Sequence, residues 1–283
     1  MAKKIFLCAI CNVSSGNCSE DCKFCTQSSK HNADIKRYKN KPVEQIVQEA
    51  KLANKNGATG FCLVTAGRKL QDKEVPFIAK TAATIKQEVP KLQNIIACNG
   101  TATREQLKEL KNAGITTYNH NLETSKEFYS KICTTHSWEE RWETCLAIKE
   151  VGLRLICGGI FGLGENEEDR ESFIASLKKI QPFTIPINFF MHDPSLPLQA
   201  HHFSVEEGLE IIKKVRTSIP EAKKIMIAGG RERTFKDEQY KIFEAGANAI
   251  VLGNYLTTTG EDAQKDKEMI TSLGLEIATS CHG

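Results

Sequence analysis

The chain has 283 residues, of which 40% are hydrophobic and 26% are charged, and its formal net charge is +3. Basic and acidic residues are intermixed along the chain, which argues against a nucleic-acid-binding face. No apolar run approaches the roughly 18–20 residues that a membrane span requires. The apolar run at the N-terminus is too short for a secretory signal. We therefore expect a cytoplasmic protein that binds neither membranes nor nucleic acid.

The chain contains 11 cysteines, a high number for a protein of this expected location. Reducing conditions in the cytoplasm disfavour disulfides. An odd number of cysteines dispersed over the chain fits metal ligation better than pairwise cross-linking.

Apolar, often β-branched runs alternate with helix-like segments along the whole length. The predicted strands are Lys4–Ile10, Thr59–Thr65, Asn94–Cys98, Ile115–Asn119, Leu153–Ile160, Thr184–Phe189, Lys224–Ala228 and Ala247–Leu252. The predicted helices are Val43–Asn56, Lys73–Glu88, Thr103–Asn112, Trp138–Glu150, Glu167–Ile180, Ser204–Ser218 and Asp237–Ala245. This alternation predicts an α/β fold, a single (β/α)8 TIM-type barrel over residues 1–283 with a C-terminal extension from about residue 254. An open doubly wound sheet is the alternative.

Three cysteines, Cys18, Cys22 and Cys25, lie in a loop-like segment of residues 14–28 that follows the first predicted strand. Iron–sulfur clusters are held by cysteine thiolates, and three ligands leave one iron of a four-iron cluster without a local protein ligand. An open iron of this kind binds a small molecule and passes it an electron. A structural zinc site, completed by Cys8 and Cys11, is the alternative.

Further chemistry-bearing residues fall at the predicted ends of the strands. In a barrel of this class, the carboxyl ends of the strands and the loops after them carry the active site. Cysteines and an arginine are found at four such ends: Cys62, Cys98, Cys157 and Arg231. A single buried cysteine is usually inert packing, but several around one opening suggest a metal-binding cavity.

The spacing of Cys18, Cys22 and Cys25 resembles the signature of the radical S-adenosylmethionine (SAM) superfamily. Further segments resemble motifs of the biotin synthase family in order and spacing, over nearly the whole chain. These segments are Tyr118-Asn-His-Asn-Leu-Glu-Thr124, Gly158-Gly-Ile-Phe-Gly-Leu-Gly-Glu165, Ala228-Gly-Gly-Arg-Glu232 and Leu256-Thr-Thr258.

The resemblance implies a sulfur-inserting enzyme that converts dethiobiotin to biotin. A [4Fe-4S] cluster on the three loop cysteines would bind SAM and cleave it to methionine and a 5′-deoxyadenosyl radical. That radical would abstract hydrogen from dethiobiotin, and a [2Fe-2S] cluster inside the barrel would donate the sulfur. The implied partners are an electron donor, such as flavodoxin or ferredoxin, and a second copy of the chain in a homodimer.

For the second cluster, the resemblance implies Cys62, Cys98 and Arg231 as ligands. The family's remaining cysteine ligand falls at Ile156 in this chain, and Cys157 occupies the next position. Side chains alternate faces along a strand, so this shift by one residue would turn Cys157 away from the cavity. A bulge at the glycine pair that follows would restore it, and we expect Cys157 to be a ligand on that basis.

For the small molecules, the resemblance implies Asn119, Asn121 and Asn188 as groups that hydrogen-bond dethiobiotin. An amide offers both donors and acceptors, which suits a ureido ring. Glu123 is implied to contact the SAM ribose and Arg141 the methionyl carboxylate, and Asn121 belongs to both sites. Without the resemblance, these residues would be interpreted as turn asparagines and as a solvated helix face.

The chain departs from the family pattern at Phe24, where tyrosine is usual, and at Ser195–Leu198, where Gly-Thr-Pro-Leu is frequent. Two alternative functions remain open. The first is a related radical SAM enzyme that acts on another small substrate with an altered second cluster. The second is a non-catalytic protein that binds an iron–sulfur cluster or zinc.

Overall fold

The computed structural model describes residues 4–199 and 201–281, and it confirms the predicted (β/α)8 barrel. All strand pairs are parallel, and β1 pairs with both β2 and β9, which closes the sheet on itself. The strands are β1 (Lys4–Asn12), β2 (Gly60–Val64), β3 (Asn94–Cys98), β4 (Thr117–Asn119), β5 (Arg154–Ile156), β6 (Gly159–Phe161), β7 (Thr184–Phe189), β8 (Lys224–Ile227), β9 (Ala249–Val251) and β10 (Glu276–Ile277). Closure brings the carboxyl ends of the strands around one opening.

Helices cover the outside of the barrel. They are α1 (Val43–Lys55), α2 (Val75–Glu88), α3 (Arg104–Asn112), α4 (Lys126–Ile132), α5 (Trp138–Glu150), α6 (Glu167–Ile180), α7 (Val205–Ser218), α8 (Arg231–Phe235), α9 (Lys241–Glu244) and α10 (Ala263–Ser272). Reciprocal capping boxes start α3, α5, α6 and α7, and each satisfies backbone N–H groups that have no partner within the helix. Within the described ranges, no helix is long and apolar enough to cross a bilayer.

The predicted helix Asp237–Ala245 is wrong in its extent. The chain forms α8 directly after β8, then a turn of 3₁₀-helix at Lys236–Glu238, and then the short α9. Lys236 has a φ of 47°, so the backbone cannot continue as one helix through this residue. The sequence pattern also missed α4, α10 and β10.

The fifth barrel position, predicted as one strand over Leu153–Ile160, is split into β5 and β6. Both parts pair with β7 in one register, because Ile156 lies opposite Thr184 and Gly159 lies opposite Ile187. Three residues on one strand face three on the other, so no extra residue interrupts the alternation of side chains on this side.

Alternation along the strands sorts the apolar side chains into two layers. The inner layer fills the barrel and contains Cys8, Cys62, Val64, Ile96, Ile156, Met226, Ala228, Ala249 and Val251, with Cys98 packed against it. Their neighbours on the same strands, such as Leu63 and Leu155, belong to the larger layer between sheet and helices. Inner-layer residues at the carboxyl ends are therefore the ones that reach the opening.

A buried ion pair connects α10 to the barrel. The Nη1 and Nη2 atoms of Arg231 donate to the two carboxylate oxygens of Asp266 at 2.7 and 2.9 Å, and both side chains are excluded from solvent. Nη2 also lies 3.3 Å from a carboxylate oxygen of Glu232. A buried charge without its partner is strongly destabilising, so this pair fixes the C-terminal extension on the end of β8.

We expect Arg231→Met to lower the free energy of unfolding by roughly 3–5 kcal/mol, because it leaves the Asp266 carboxylate buried and unpaired. Urea unfolding followed by circular dichroism measures the change. As a control, Arg104→Met removes a half-exposed ion pair with Glu150 and should have a much smaller effect. Equal losses in the two variants would contradict the role given to Arg231.

Candidate active site

The three-cysteine loop follows β1 and lies at the mouth of the barrel. Its fold depends on Gln27, whose Oε1 accepts hydrogen bonds from the Gly16 backbone N–H at 2.5 Å and from the Ser15 hydroxyl at 3.1 Å. The Cys25 backbone N–H donates to the Cys22 carbonyl at 3.0 Å, which forms a tight turn between the two cysteines. Cys18, Cys22 and Cys25 are all free thiols in the described structure. The loop therefore offers three sulfur ligands on a compact backbone.

Two further predicted ligands, Cys62 on β2 and Cys98 on β3, face the interior of the barrel. The structure brings their thiols together: a hydrogen bond with Cys98, reinforced by burial, raises the pKa of Cys62 well above its ordinary value. Metal binding at this position must therefore displace protons from the thiols. Cys8 on β1 lies in the same inner layer, and burial raises the pKa of its thiol to about 12.

The prediction for Cys157 is wrong, because the bulge that it required is absent. Ile156 belongs to the inner layer, whereas Cys157 lies in the layer between sheet and helices. The Cys157 Sγ accepts a hydrogen bond from the Cys145 thiol of α5 at 3.8 Å and is fully buried. The irregularity lies instead after β4, where Glu123 pairs with Gly159 and has a φ of 70°. The extra residue therefore lies in the segment after β4 and not in β5 or β6, so it does not change the orientation of Cys157.

The structure also conflicts with the role predicted for Arg231. Both terminal nitrogens of its guanidinium are committed to Asp266 and Glu232. A protonated guanidinium in such a pair has no free electron pair for a metal. On β8 it is Met226 that faces the barrel interior, and a thioether is a soft potential ligand.

Arg141 on α5 is the centre of a polar network beside the three-cysteine loop. Its Nε donates to the Tyr129 hydroxyl at 2.6 Å, and its Nη1 donates to the Asn121 carbonyl at 2.9 Å. Its Nη2 lies 3.2 Å from the Nε2 of His136, whose Nδ1 is 2.6 Å from a carboxylate oxygen of Glu20. The network thus joins the segment after β4, two helices and the loop. This position fits the prediction that Arg141 is an active-site residue better than the alternative that it lies on a solvated helix face.

Glu123 lies 3.6 Å from Arg141, and its other carboxylate oxygen, Oε2, is buried without a hydrogen-bond partner among the described residues. Burial raises the pKa of Glu123, and the nearby Arg141 opposes this increase. An acceptor in this state costs free energy unless a ligand supplies a donor. The site therefore has a preformed place for a hydroxyl or amino group.

The side-chain amides of the three predicted asparagines differ in how many hydrogen bonds they already form within the protein. Asn188 on β7 accepts from the Gly229 N–H at 2.9 Å and donates to the Gly159 carbonyl at 3.0 Å. Asn121 accepts from the Gly158 N–H at 3.1 Å. The Oδ1 of Asn119 is buried and has no partner among the described residues. Asn119 is therefore the most available of the three for a bound molecule.

Sequence reasoning missed Cys133 and His136, which follow α4 and contact the three-cysteine loop. The Cys133 Sγ lies 3.7 Å from the Cys22 Sγ and 3.3 Å from the His136 Nδ1. The Cys133-Thr-Thr-His136 spacing was the available signal, but only the fold brings it to a cysteine that is 111 residues distant in sequence.

Comparison with known proteins assigns the chain to a class and then to a family. The model of the radical SAM superfamily matches residues 12–177, and that of the Biotin and Thiamin Synthesis associated domain matches residues 186–276. The biotin synthase of Sulfurimonas denitrificans is 56% identical over 280 residues, which cover 99% of each chain. That of Campylobacter concisus is 55% identical over 280 residues, 99% of this chain and 100% of the relative. The chain belongs to the radical SAM superfamily and, within it, to the biotin synthase family.

Solved structures agree on the fold. Methylornithine synthase has a TM-score of 0.81 at 18% identity, and covers 97% of this chain and 84% of its own. The hydrogenase maturase HydG of Carboxydothermus hydrogenoformans has a TM-score of 0.81 at 20% identity, and covers 96% and 67%. At these identities the similarity concerns the barrel only.

We expect Cys157→Ala to leave the iron content and visible absorption of the cluster-loaded protein unchanged, because its thiol points towards α5. Cys62→Ala should lose the absorption of a second cluster, because this thiol points into the barrel. Iron and sulfide analysis after anaerobic reconstitution measures both. An iron loss in Cys157→Ala as large as that in Cys62→Ala would contradict the described orientation.

Proposed function

We propose that this chain is a biotin synthase, a radical SAM enzyme that inserts sulfur into dethiobiotin in the last step of biotin biosynthesis. The observation that carries the proposal is the loop of three free cysteines at the barrel mouth, above an interior that contains Cys62 and Cys98. The identity to the biotin synthases of the two bacteria named above supports the substrate.

Cys18, Cys22 and Cys25 fit the donor set of a [4Fe-4S] cluster with one open iron, because thiolates are the usual ligands of such clusters. When bound, this group supplies the electron that cleaves SAM. The residues around it hold SAM in place and exclude water from the opening.

Arg141 and Glu123 are proposed to bind SAM from two sides. The guanidinium, held by Tyr129 and Asn121, offers positive charge to the methionyl carboxylate. The unpartnered Oε2 of Glu123 is a ready acceptor for a ribose hydroxyl. Asn121 lies between the two and contributes its carbonyl to the position of Arg141. The hydrogen bonds of Arg141 to Tyr129 and Asn121 form without SAM, so little ordering of this guanidinium remains to be done on binding.

The amides of Asn119, Asn121 and Asn188 are proposed to orient dethiobiotin. Asn119 carries most of this role, since its Oδ1 lacks a partner and suits a ureido N–H donor. Asn188 is held by Gly229 and Gly159, so its remaining N–H has a fixed direction.

The second cluster, a [2Fe-2S] group in the family resemblance, is proposed to bind at Cys62 and Cys98. These two thiols fit as ligands, whereas Cys157 is directed away and Arg231 is paired. Ile156 lines the interior at the position of the family's remaining cysteine ligand, and Met226 faces the same interior from β8. This observation favours one second candidate, a related radical SAM enzyme with an altered second cluster and another small substrate.

We further infer that the enzyme works in the cytoplasm as a homodimer and receives its electron from a small donor such as flavodoxin or ferredoxin. The resemblance to the biotin synthase family supports these three points. Light scattering after size-exclusion chromatography measures the oligomeric state.

The activity has a direct test. The protein is reconstituted anaerobically with iron and sulfide and supplied with SAM, a reductant and dethiobiotin. We expect both biotin and 5′-deoxyadenosine by mass spectrometry, and neither product from Cys18→Ala. Deoxyadenosine without biotin in the wild type would move the assignment to the second candidate. Absence of both products from cluster-loaded protein would contradict radical SAM activity.

SAM binding tests the role of Glu123. We expect Glu123→Gln to weaken SAM binding about 10- to 100-fold, since a hydrogen bond to a charged group contributes roughly 1.5–3 kcal/mol. Equilibrium dialysis with cluster-loaded protein measures the dissociation constant. Glu168→Gln, an exposed substitution on α6, is the matched control and should bind SAM as the wild type does. Equal affinity in both variants would exclude the proposed contact.

A further inference from the structure

Beside the three-cysteine loop lies a cluster of metal-ligating side chains in which Cys22 of the loop meets two residues that the radical reaction does not use. Cys22, Cys133 and His136 are all buried, and one ligand atom of each lies within 4.8 Å of the others. Two of them, Cys133 and His136, come from the connection between α4 and α5. We propose that these three residues form a second metal site, for a single divalent ion of the zinc type, that operates when the iron–sulfur cluster is absent.

The distances fit tetrahedral coordination. Zinc–sulfur bonds of about 2.3 Å in a tetrahedron place two sulfur ligands about 3.8 Å apart. The sulfurs of Cys22 and Cys133 are 3.7 Å apart. A zinc–nitrogen bond of about 2.0–2.1 Å places sulfur and nitrogen about 3.6 Å apart, and Cys133 Sγ lies 3.3 Å from His136 Nδ1 and 3.8 Å from Nε2. Two edges of a coordination tetrahedron are thus already formed by the protein, and the ligand atoms of Cys22 and His136 lie within 4.8 Å of each other.

The surroundings also suit a metal ion. A histidine ligand is normally oriented by a hydrogen bond on its second ring nitrogen. Here the Nε2 of His136 lies 2.8 Å from the Tyr129 hydroxyl, and Nδ1, which faces the Glu20 carboxylate, is the nitrogen that would exchange its proton for the metal. Glu20 and Asp21 place carboxylates at the site: Glu20 Oε2 is 2.6 Å from Nδ1, and Asp21 Oδ1 is 3.4 Å from Cys133 Sγ. Their two negative charges outweigh the one positive charge of Arg141, whose Nη2 lies 3.2 Å from His136 Nε2, and water or Glu20 completes the fourth position.

The site is accessible from outside the barrel. A surface cleft of about 380 Å³ is lined by residues of α4, α5 and the turn between them, including Cys133 and His136. An ion therefore reaches the cluster of ligands without passing through the barrel mouth. Two thiolates and an imidazole favour zinc over magnesium or calcium, which prefer oxygen ligands.

Cys22 belongs to both metal sites, and this gives the site a regulatory consequence that rests on the proposed function of the loop. A Cys22 thiolate bound to zinc is not available to the [4Fe-4S] cluster. Zinc and cluster assembly are therefore mutually exclusive. The site holds the loop cysteine in a protected, inactive state until iron and sulfide are supplied.

The test uses the full chain, freed of clusters by anaerobic chelation, with cobalt(II) as the optical probe for zinc. We expect the wild type to show the intense visible bands of tetrahedral cobalt with thiolate ligands. Cys133→Ala and His136→Gln should each bind at least about 100-fold more weakly, since even the loss of a residue that only orients a ligand costs 10–100-fold. Cys145→Ala, which removes a buried thiol next to Cys157, is the matched control and should bind as the wild type does.

Two outcomes would overturn the proposal. The first is unchanged cobalt binding in both Cys133→Ala and His136→Gln, which would assign the ion to other cysteines. The second is a spectrum that disappears in Cys18→Ala but not in Cys133→Ala. Circular dichroism of each variant verifies its fold, and either of the two site variants suffices if the other does not fold.

Competition with the cluster is measured separately. With zinc bound, reconstitution with iron and sulfide should be slowed at least tenfold in the wild type, whereas Cys133→Ala should assemble its cluster at the rate seen without zinc. Equal slowing in both proteins would contradict mutual exclusion. Biotin formation by the wild type, reconstituted without zinc, does not depend on these results, so failure of this site and failure of the proposed function are distinguishable.

Discussion

The alternation of side chains along the strands of a closed parallel barrel determines what this molecule can place at its centre. Closure through β1 and β9 leaves one interior and one mouth, and every second residue of a strand faces inward. This constraint places Cys62 inside and keeps Cys157 outside. Because β5 and β6 keep one register with β7, no local adjustment reverses the orientation of Cys157.

The loop at the mouth depends in turn on polar contacts with the helices. Arg141 links α5 to the segment after β4, and His136 links it to Glu20 of the loop. Arg141 and Glu20 are charged groups with little exposure to solvent, so each depends on its partners. The same network that holds the residues proposed to bind SAM contains His136, which lies against Cys133 and so beside Cys22. The cluster site and the proposed zinc-type site share Cys22 and therefore occupy the same region of the protein.

Much of the architecture follows from local sequence patterns. The strands β3 and β7 coincide with the predicted ranges, because each is a short apolar run bounded by clear turn signals. The capping boxes at Ser137 and Ser204 mark the starts of two helices within a residue of the prediction. The loop of Cys18, Cys22 and Cys25 was likewise evident from residue types and spacing alone.

The rest depends on tertiary contacts that no local pattern contains. The residues around Arg231 do not show whether its side chain faces a metal or a carboxylate. Its partner, Asp266, lies 35 residues later in the sequence. Cys133 is an ordinary buried thiol until the fold places it beside Cys22. The orientation of Cys157 follows from the register with β7, which is a property of two strands together.

Cys18, Cys22 and Cys25 are proposed to hold a four-iron cluster whose open iron binds SAM. Mössbauer spectroscopy of the iron-loaded protein, recorded with and without SAM, tests it most directly. The second cluster is removed for this purpose by Cys62→Ala and Cys98→Ala. We expect one iron in four to change its signal when SAM binds, while the other three retain theirs. Four irons that all remain unchanged on addition of SAM would exclude an open iron that binds SAM at this loop.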